Sequence, residues 1–201
     1  MKRCDWCLGD ELYTRYHDTE WGVPFDDERR TFEFLLLEGA QAGLSWLMIL
    51  RRREGYRNAF AGFDAQSVAR FSDEHLEALL QDRAIVRNRL KVHAARENAR
   101  ATLALYESGT SLSELFWNFV DGRPIQNHWR SLGEVPAQTE LSRRISRELM
   151  RRGFKFVGPT IVYAHMQATG MVNDHLVGCP RHAACAALAE TFRMDKSGAD
   201  T

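Results

Sequence analysis

The chain has 201 residues, of which 44% are hydrophobic and 27% are charged, and its formal net charge is zero. This length suits a single domain with a sizeable core, and the composition excludes a disordered protein. No apolar run approaches the roughly 18 residues that a membrane span needs, so we expect no membrane partner.

Helical periodicity dominates the sequence and predicts an all-α fold. The predicted helices cover residues 26–39, 44–60, 72–80, 90–106, 111–119, 139–152, 160–168 and 181–193. Hydroxyl residues such as Ser72 and Thr139 cap helix starts, and glycines such as Gly153 and Gly170 end helices. No alternating strand pattern stands out. We expect one domain of two lobes over 1–193 and a disordered tail over 194–201.

Charge is distributed unevenly along the neutral chain. Residues 1–40 hold ten acidic and five basic side chains, whereas residues 51–155 hold nineteen basic and thirteen acidic ones. One surface could therefore be basic and bind nucleic acid. Arginine outnumbers lysine 23 to 4, which suits phosphate contacts and equally reflects a codon bias.

Cysteine usage suggests metal ligation. The start, Met1 to Trp6, leads into no apolar stretch, so we expect no signal peptide and a cytoplasmic protein with reduced thiols. Cys4 and His17 near the start, with His175 and Cys179 near the end, would satisfy a closed, structural zinc site. Ordinary core residues are the alternative. Spacing also leaves competing ligands open, which are Cys7, His182 and Cys185.

A glutamate lies near many aromatic residues. Glu38 follows three leucines and precedes a glycine-containing turn, so we expect it to be partly buried and to need a donor or cation. A helix-end glutamate facing water is the alternative. The surrounding aromatics could form a slot for a flat, electron-poor ring, or be core residues. They are Trp6, Tyr13, Tyr16, Trp21 and Trp46.

Two turns are candidates for contact with DNA. Leu44, at a glycine-containing tip, could fill the gap that a flipped base leaves, or begin the core face of the next helix. The turn between predicted helices near 83–91 carries Arg87, Arg89 and Lys91 beside free helix-start N–H groups. Such a turn can bind phosphate, and a solvated basic turn is the alternative.

Several stretches together resemble the DNA-3-methyladenine glycosylase I family, over about residues 2–180. They are RCDW (3–6), YHDTEWGVP (16–24), LEGAQAGLSW (37–46), IVRNRLKVHA (85–94), RGFKFVGPT (152–160) and MVNDHLVGC (171–179). The resemblance implies a helix-hairpin-helix glycosylase fold, with 85–91 as the hairpin. It also implies one structural zinc, with Cys4, His17, His175 and Cys179 as its ligands.

The resemblance further implies roles in the pocket. Glu38, the catalytic candidate, should hydrogen-bond the flipped base. Tyr16 should contact the base edge and Trp46 should stack on it, with Trp6 and Tyr13 completing the wall and Leu44 entering the DNA stack. The expected partner is double-stranded DNA containing 3-methyladenine, with free base as product and a monomer as the acting form.

The implied reaction is hydrolysis of the N-glycosidic bond, leaving an abasic site. Many superfamily relatives place an aspartate after the hairpin, but the stretch after Leu90 continues Lys-Val-His-Ala-Ala-Arg. We therefore expect binding and orientation to supply catalysis, without a Schiff-base lysine. Two rival hypotheses remain: a zinc-stapled DNA-binding module without chemistry, and a metal-stabilised helical protein that binds a small cationic aromatic.

Overall fold

The computed structural model describes residues 2–194, and the tail predicted after Met194 lies outside them. This part of the chain is mostly helical. In chain order the helices are α1 (Glu11–Thr19), α2 (Glu28–Gln41), α3 (Trp46–Arg51), α4 (Arg53–Ala59), α5 (Ala65–Ala69), α6 (Asp73–Leu79), α7 (Arg89–Glu107), α8 (Leu112–Asn118), α9 (Glu140–Arg151), α10 (Pro159–Ala168) and α11 (Pro180–Thr191). None of the described helices is both long and apolar enough to cross a lipid bilayer.

Two helices were absent from the sequence prediction, and one predicted helix is divided. Helix α1 begins where the Asp10 carboxylate accepts from the Tyr13 N–H at 3.0 Å, a typical cap. Helix α5 is similarly capped by Asp64. The predicted helix 44–60 breaks at Arg52, whose ψ of 2° separates α3 from α4.

A short pair of strands modifies the all-helical prediction. Strand β1 (Ile125–Gln126) pairs in parallel with β2 (Val172–Asn173), with Ile125 opposite Val172. Each strand has two residues, too few for an alternating pattern to be visible in the sequence. The pairing ties the loop between α8 and α9 to the segment that follows α10.

Helix α2 is the central element. Its residues from Thr31 to Ala40 are all buried, and it contacts α3, α7, α8 and α10. A helix surrounded in this way presents apolar residues on every side, which explains the run of three leucines before Glu38. A smaller apolar cluster, centred on Tyr16 and Phe34, joins α2 to α1. This junction contains the candidate site.

Candidate active site and metal centre

A cavity of about 220 Å³ opens between α1, α2, α3 and α10. Pockets for drug-sized ligands are roughly 300–1,000 Å³, so this one suits a smaller ligand. Aromatic side chains form much of its wall. The lining residues are Trp6, Tyr13, Tyr16, Trp21, Glu38, Gln41, Trp46, Leu132, Val135, Ala164, Gln167 and Asp174. The five aromatics singled out in the sequence therefore surround one cavity, together with Glu38.

Helix geometry brings these side chains to the cavity. Tyr13 and Tyr16 are three residues apart on α1, as are Glu38 and Gln41 on α2, so each pair shares one helix face. Trp46 is the first residue of α3. The Tyr16 and Trp46 ring centres are 5.5 Å apart. The wall therefore consists of rings in mutual contact, which limits their movement.

Glu38 is buried without a hydrogen-bonding partner. Glu38 is only 4% exposed. No hydrogen-bond donor within residues 2–194 contacts its carboxyl group. Burial raises the pKa of Glu38 to about 8, because an apolar environment disfavours the charged form. The carboxyl group is therefore mostly protonated at neutral pH. Glu38 is therefore not a helix-end glutamate that faces water, which was the alternative interpretation of the sequence.

Two neighbours of Glu38 share its apolar environment. Tyr16 is 2% exposed, and burial, followed by the charge of Glu38, raises its pKa well above the ordinary value. The indole N–H of Trp46 is buried and has no acceptor among the described residues. Buried polar groups are normally hydrogen-bonded. The pocket therefore holds polar groups whose partners are absent from residues 2–194, an arrangement that suits a polar ligand.

A second carboxylate lines the same cavity, and the sequence analysis missed it. Asp174 is 2% exposed and accepts four hydrogen bonds, from Asn127, Trp129, Tyr163 and Gln167. The stretch MVNDHLVGC contained the signal, but our interpretation used only its histidine and cysteine. An acidic residue directly after a buried strand could have been flagged.

Four metal-binding side chains come together where the chain's two ends meet. The ligand atoms of Cys4, His17, His175 and Cys179 lie within 4.8 Å of one another, and all four residues are buried. His175 Nδ1 is 3.2 Å from His17 Nε2, and Cys179 Sγ is 3.6 Å from that same nitrogen. In tetrahedral zinc coordination, N–N pairs are about 3.3 Å apart and S–N pairs about 3.5 Å apart. Two further S–N distances, from His175 Nδ1 to Cys4 Sγ and to Cys179 Sγ, are longer at 3.9 Å. The cluster could therefore hold a metal ion.

Outer contacts orient both imidazoles for metal binding. His17 Nδ1 lies 2.8 Å from Asp18 Oδ1, and His175 Nε2 lies 3.0 Å from the Trp21 carbonyl oxygen. The remaining ring nitrogens face the cluster, as is usual for metal-bound histidines. Burial lowers the pKa of His175 to about 3, which keeps its ring in the neutral form that binds metals.

The competing ligands have other partners. The Cys7 thiol donates to the Cys4 carbonyl oxygen at 3.1 Å. His182 Nε2 lies 2.8 Å from the Asn127 carbonyl oxygen, and Cys185 Sγ contacts Arg181. The structure therefore separates these three residues from the four-residue cluster, a distinction that spacing had left open.

The candidate wedge and the basic turn share one groove. Leu44 is half-buried and packs partly against the core, so it also fits the core-face alternative. It lines an open groove with Arg52, Arg83 and Arg87. Among the described residues, no carboxylate forms a salt bridge with Arg83 or Arg87. Unpaired arginines beside an apolar tip suit a phosphate backbone.

The other two basic residues of the predicted turn have internal partners. Arg89 Nη1 lies 2.7 Å from Glu77 Oε2. Lys91 Nζ donates to the carbonyl oxygens of Ala40 and Ala42, at 2.8 and 2.6 Å. Carbonyl groups at a helix end lack intrahelical partners and carry partial negative charge. Lys91 therefore stabilises the end of α2 and holds the Leu44 turn against α7.

A second helical pair has features that the 85–91 turn lacks. Helices α9 and α10 pack together, and glycines stand near both ends of their connection. Gly153 has a φ of +93°, which favours glycine, and Gly158 caps α10 through its backbone. This connection therefore has a glycine near each end, whereas the 85–91 turn has none.

Comparison with known proteins agrees with this geometry. Residues 6–182 match a family described as methyladenine glycosylase. The chain is 48% identical over 179 residues to DNA-3-methyladenine glycosylase 1 of Escherichia coli strain K12, covering 89% of this chain and 96% of that protein. A solved structure of 3-methyladenine DNA glycosylase I matches with a TM-score of 0.88 at 49% identity, covering 89% of this chain and 98% of that one.

A further solved structure contains a ligand. It is a variant of 3-methyladenine DNA glycosylase I in complex with 3-methyladenine, with a TM-score of 0.86 and 32% identity over 90% of this chain and 97% of that one. Family match, identity and coverage agree with each other and with an aromatic pocket around a buried carboxyl group. The chain therefore belongs to the methyladenine glycosylase family.

Proposed function

We propose that this protein is a monofunctional DNA glycosylase that excises 3-methyladenine from alkylated DNA. The observation that carries the proposal is Glu38, a buried carboxyl group without a donor, in a small cavity walled by aromatic rings. Relatives named for this activity match nearly the whole chain. The described geometry explains how the pocket would select a methylated base.

Selection rests on the charge of the base. N3-methylation gives adenine in DNA a positive charge, and the faces of Tyr16 and Trp46 attract cations. A cation beside Glu38 lowers the pKa of its carboxyl group, because opposite charge favours the ionised form. The carboxylate then accepts from the exocyclic amine of the base. Neutral adenine gains neither the charge attraction nor the stronger hydrogen bond.

The reaction we assign is hydrolysis. The bond between the sugar C1′ and the base N9 breaks, both electrons remain with the base, and a water oxygen bonds to C1′ and releases one proton to the solvent. The base leaves neutral, and an abasic site remains. A strand-cleaving lyase would need an amine at the sugar, and no lysine is among the residues that line the pocket. Holding the nucleotide in a rigid slot lowers the barrier further.

DNA would contact the face that contains Leu44 and Arg87. Leu44 would fill the gap in the base stack, and Arg83 and Arg87 would contact phosphates. The connection Gly153–Gly158 would supply a second phosphate contact through the free backbone N–H groups at the start of α10. In this arrangement the α9–α10 pair serves as the helix-hairpin-helix element.

We further propose that Cys4, His17, His175 and Cys179 hold one structural zinc ion. Four protein ligands leave no open coordination position, so the ion would fasten the chain ends and take no part in the reaction. Trp6 lies 5.2 Å from the His17 ring, and Trp21 lies 4.6 Å from the His175 ring. The metal centre would therefore support two walls of the base pocket.

The decisive experiment is incubation of the purified protein with methylated duplex DNA, followed by identification of the released bases. We expect free 3-methyladenine and abasic sites, with strands that stay intact until treated with alkali. A Glu38→Ala protein purified in the same way controls for contaminating glycosylases. DNA binding without any base release would support the non-catalytic DNA-binding module and contradict the proposal.

A further inference from the structure

One wall of the base pocket comes from a loop. The loop 127–138 follows β1 and leads towards α9, and it contributes Leu132 and Val135 to the lining of the cavity. A 3-10 turn over Leu132–Glu134 connects the two residues, and the Val135 N–H donates to the Leu132 carbonyl oxygen at 3.2 Å. Residues three apart in such a turn point to the same side. Two apolar side chains therefore face the pocket together.

Contacts on both sides of this turn fix its position. Before the turn, the Trp129 carbonyl oxygen accepts from the Val177 N–H at 2.9 Å, and Trp129 Nε1 donates to Asp174 Oδ1 at 2.8 Å. At the end of the turn, Val135 is half-buried and packs against the main core. Leu132 therefore projects from an anchored segment, and its contact with a ligand does not require the loop to move first.

Leu132 lies at the opening of the pocket. Of the described residues that line the cavity, it alone is exposed, with 43% of its surface accessible to solvent. Glu38 and Tyr16, in contrast, are 4% and 2% exposed. The pocket therefore has a closed end at the carboxyl group and an apolar side chain at its entrance.

The chemistry of the lesion determines which part of the base reaches this entrance. In the six-membered ring of adenine, N3 lies directly across from the carbon that carries the exocyclic amine, and beside the carbon that is bonded to N9. A base whose amine contacts Glu38 therefore directs both its N3-methyl group and its glycosidic bond towards the entrance. The DNA requires the same orientation, because the sugar on N9 stays joined to the strand outside the pocket.

We propose that Leu132 and Val135 form the contact surface for the N3-alkyl group and set the size of alkyl group that the enzyme accepts. The proposal rests on the glycosylase function proposed above. A methyl group against this apolar wall is removed from water, which stabilises the bound lesion. An ethyl group places one more carbon in the space that Leu132 limits, and crowding of that kind is unfavourable. The loop therefore selects the alkyl group, whereas Glu38 contacts the opposite edge of the base.

The test compares excision of 3-ethyladenine and 3-methyladenine, from ethylated and methylated duplex DNA, under single-turnover conditions. The ratio of the two rate constants does not depend on how much of a preparation is active. We expect Leu132→Ala to raise the ethyl-to-methyl ratio by at least about ten-fold, the lower end of what one methylene contributes to discrimination in an apolar pocket. Leu132→Phe should lower the ratio. Leu188→Ala is the matched control, because Leu188 on α11 is also 43% exposed and does not line this cavity.

Free bases separate a contact with the alkyl group from a contact with DNA, since a leucine at the pocket entrance also faces the strand. Binding of free 3-ethyladenine and free 3-methyladenine is followed by the change in tryptophan fluorescence. We expect Leu132→Ala to shift this affinity ratio towards the ethyl base as well. A free-base ratio or an excision ratio equal to that of the wild type would overturn the role of Leu132. Absence of any 3-methyladenine release by the wild-type protein would instead overturn the proposed function itself.

Discussion

Replacing Glu38 by glutamine should change how the stability of the protein depends on pH. The pKa of Glu38 in the folded protein is about 8, against an ordinary value of 4.5. The folded state therefore holds this proton more tightly than the unfolded state does. The stability that Glu38 contributes is fully present below about pH 4.5. It is lost progressively as the pH rises through about 8.

The size of the effect follows from the two pKa values. Each pH unit between them costs about 1.36 kcal/mol of unfolding free energy. Because both pKa values lie near the ends of this range, the wild-type protein should lose about 3–4 kcal/mol from pH 5 to pH 8 that Glu38→Gln, which has no charge to bury, retains. For a chain of this size that loss corresponds to a change of roughly 6–16 °C in the difference between the unfolding temperatures of the two proteins.

The assay is thermal unfolding of both proteins at several pH values between 5 and 8, at constant ionic strength and without ligand. Comparison within each pH removes the contribution of the other titrating groups, which the two proteins share. Glu107→Gln, an exposed substitution of the same kind at the end of α7, serves as the control. If the wild-type and Glu38→Gln curves stay parallel across this range, Glu38 is not a buried, protonated group.

Three other predictions concern excision, metal and DNA. Glu38→Ala should slow release of 3-methyladenine by about one to two powers of ten, because a hydrogen bond to a charged group is worth roughly 1.5–3 kcal/mol; wild-type excision rates with normal unfolding would contradict this. Cys179→Ser should lower both zinc content and unfolding temperature, measured by elemental analysis and calorimetry, whereas Cys7→Ser should retain its metal. Arg87→Ala should reduce the slope of log DNA affinity against log salt concentration by about one, whereas Lys91→Ala should leave that slope unchanged. Equal slopes for wild type and Arg87→Ala would place the phosphate contact elsewhere.

The elements that the sequence predicted are those with aliphatic stripes and ordinary caps. Helix α7 was predicted within one residue at each end, because alanine and leucine mark its buried face. Helix α1 was missed because its buried residues are Tyr16 and His17, which serve the pocket and the metal cluster. A helix that owes its burial to a functional site carries little of the apolar pattern on which prediction depends.

In the candidate site too, residues with local sequence signals were predicted, and residues defined by distant contacts were missed. Glu38 was found because its surroundings are local in sequence, three leucines before it and a turn after it. Asp174 was missed because its four donors come from a distant loop and from α10, contacts that spacing does not reveal. The internal role of Lys91 also depends on a tertiary contact, to carbonyl groups some fifty positions earlier in the chain.

The cysteine and histidine cluster is buried, and burial protects its thiols from methylating agents in solution. Electrophiles that methylate adenine also methylate thiolates, because the thiolate is the nucleophilic form of cysteine. Cys4 and Cys179 are 0% and 2% exposed, so a methylating agent in solution does not reach their sulfur atoms. The proposed metal link between the two chain ends would therefore stay intact during exposure to methylating agents, and the protein would keep its capacity for base excision.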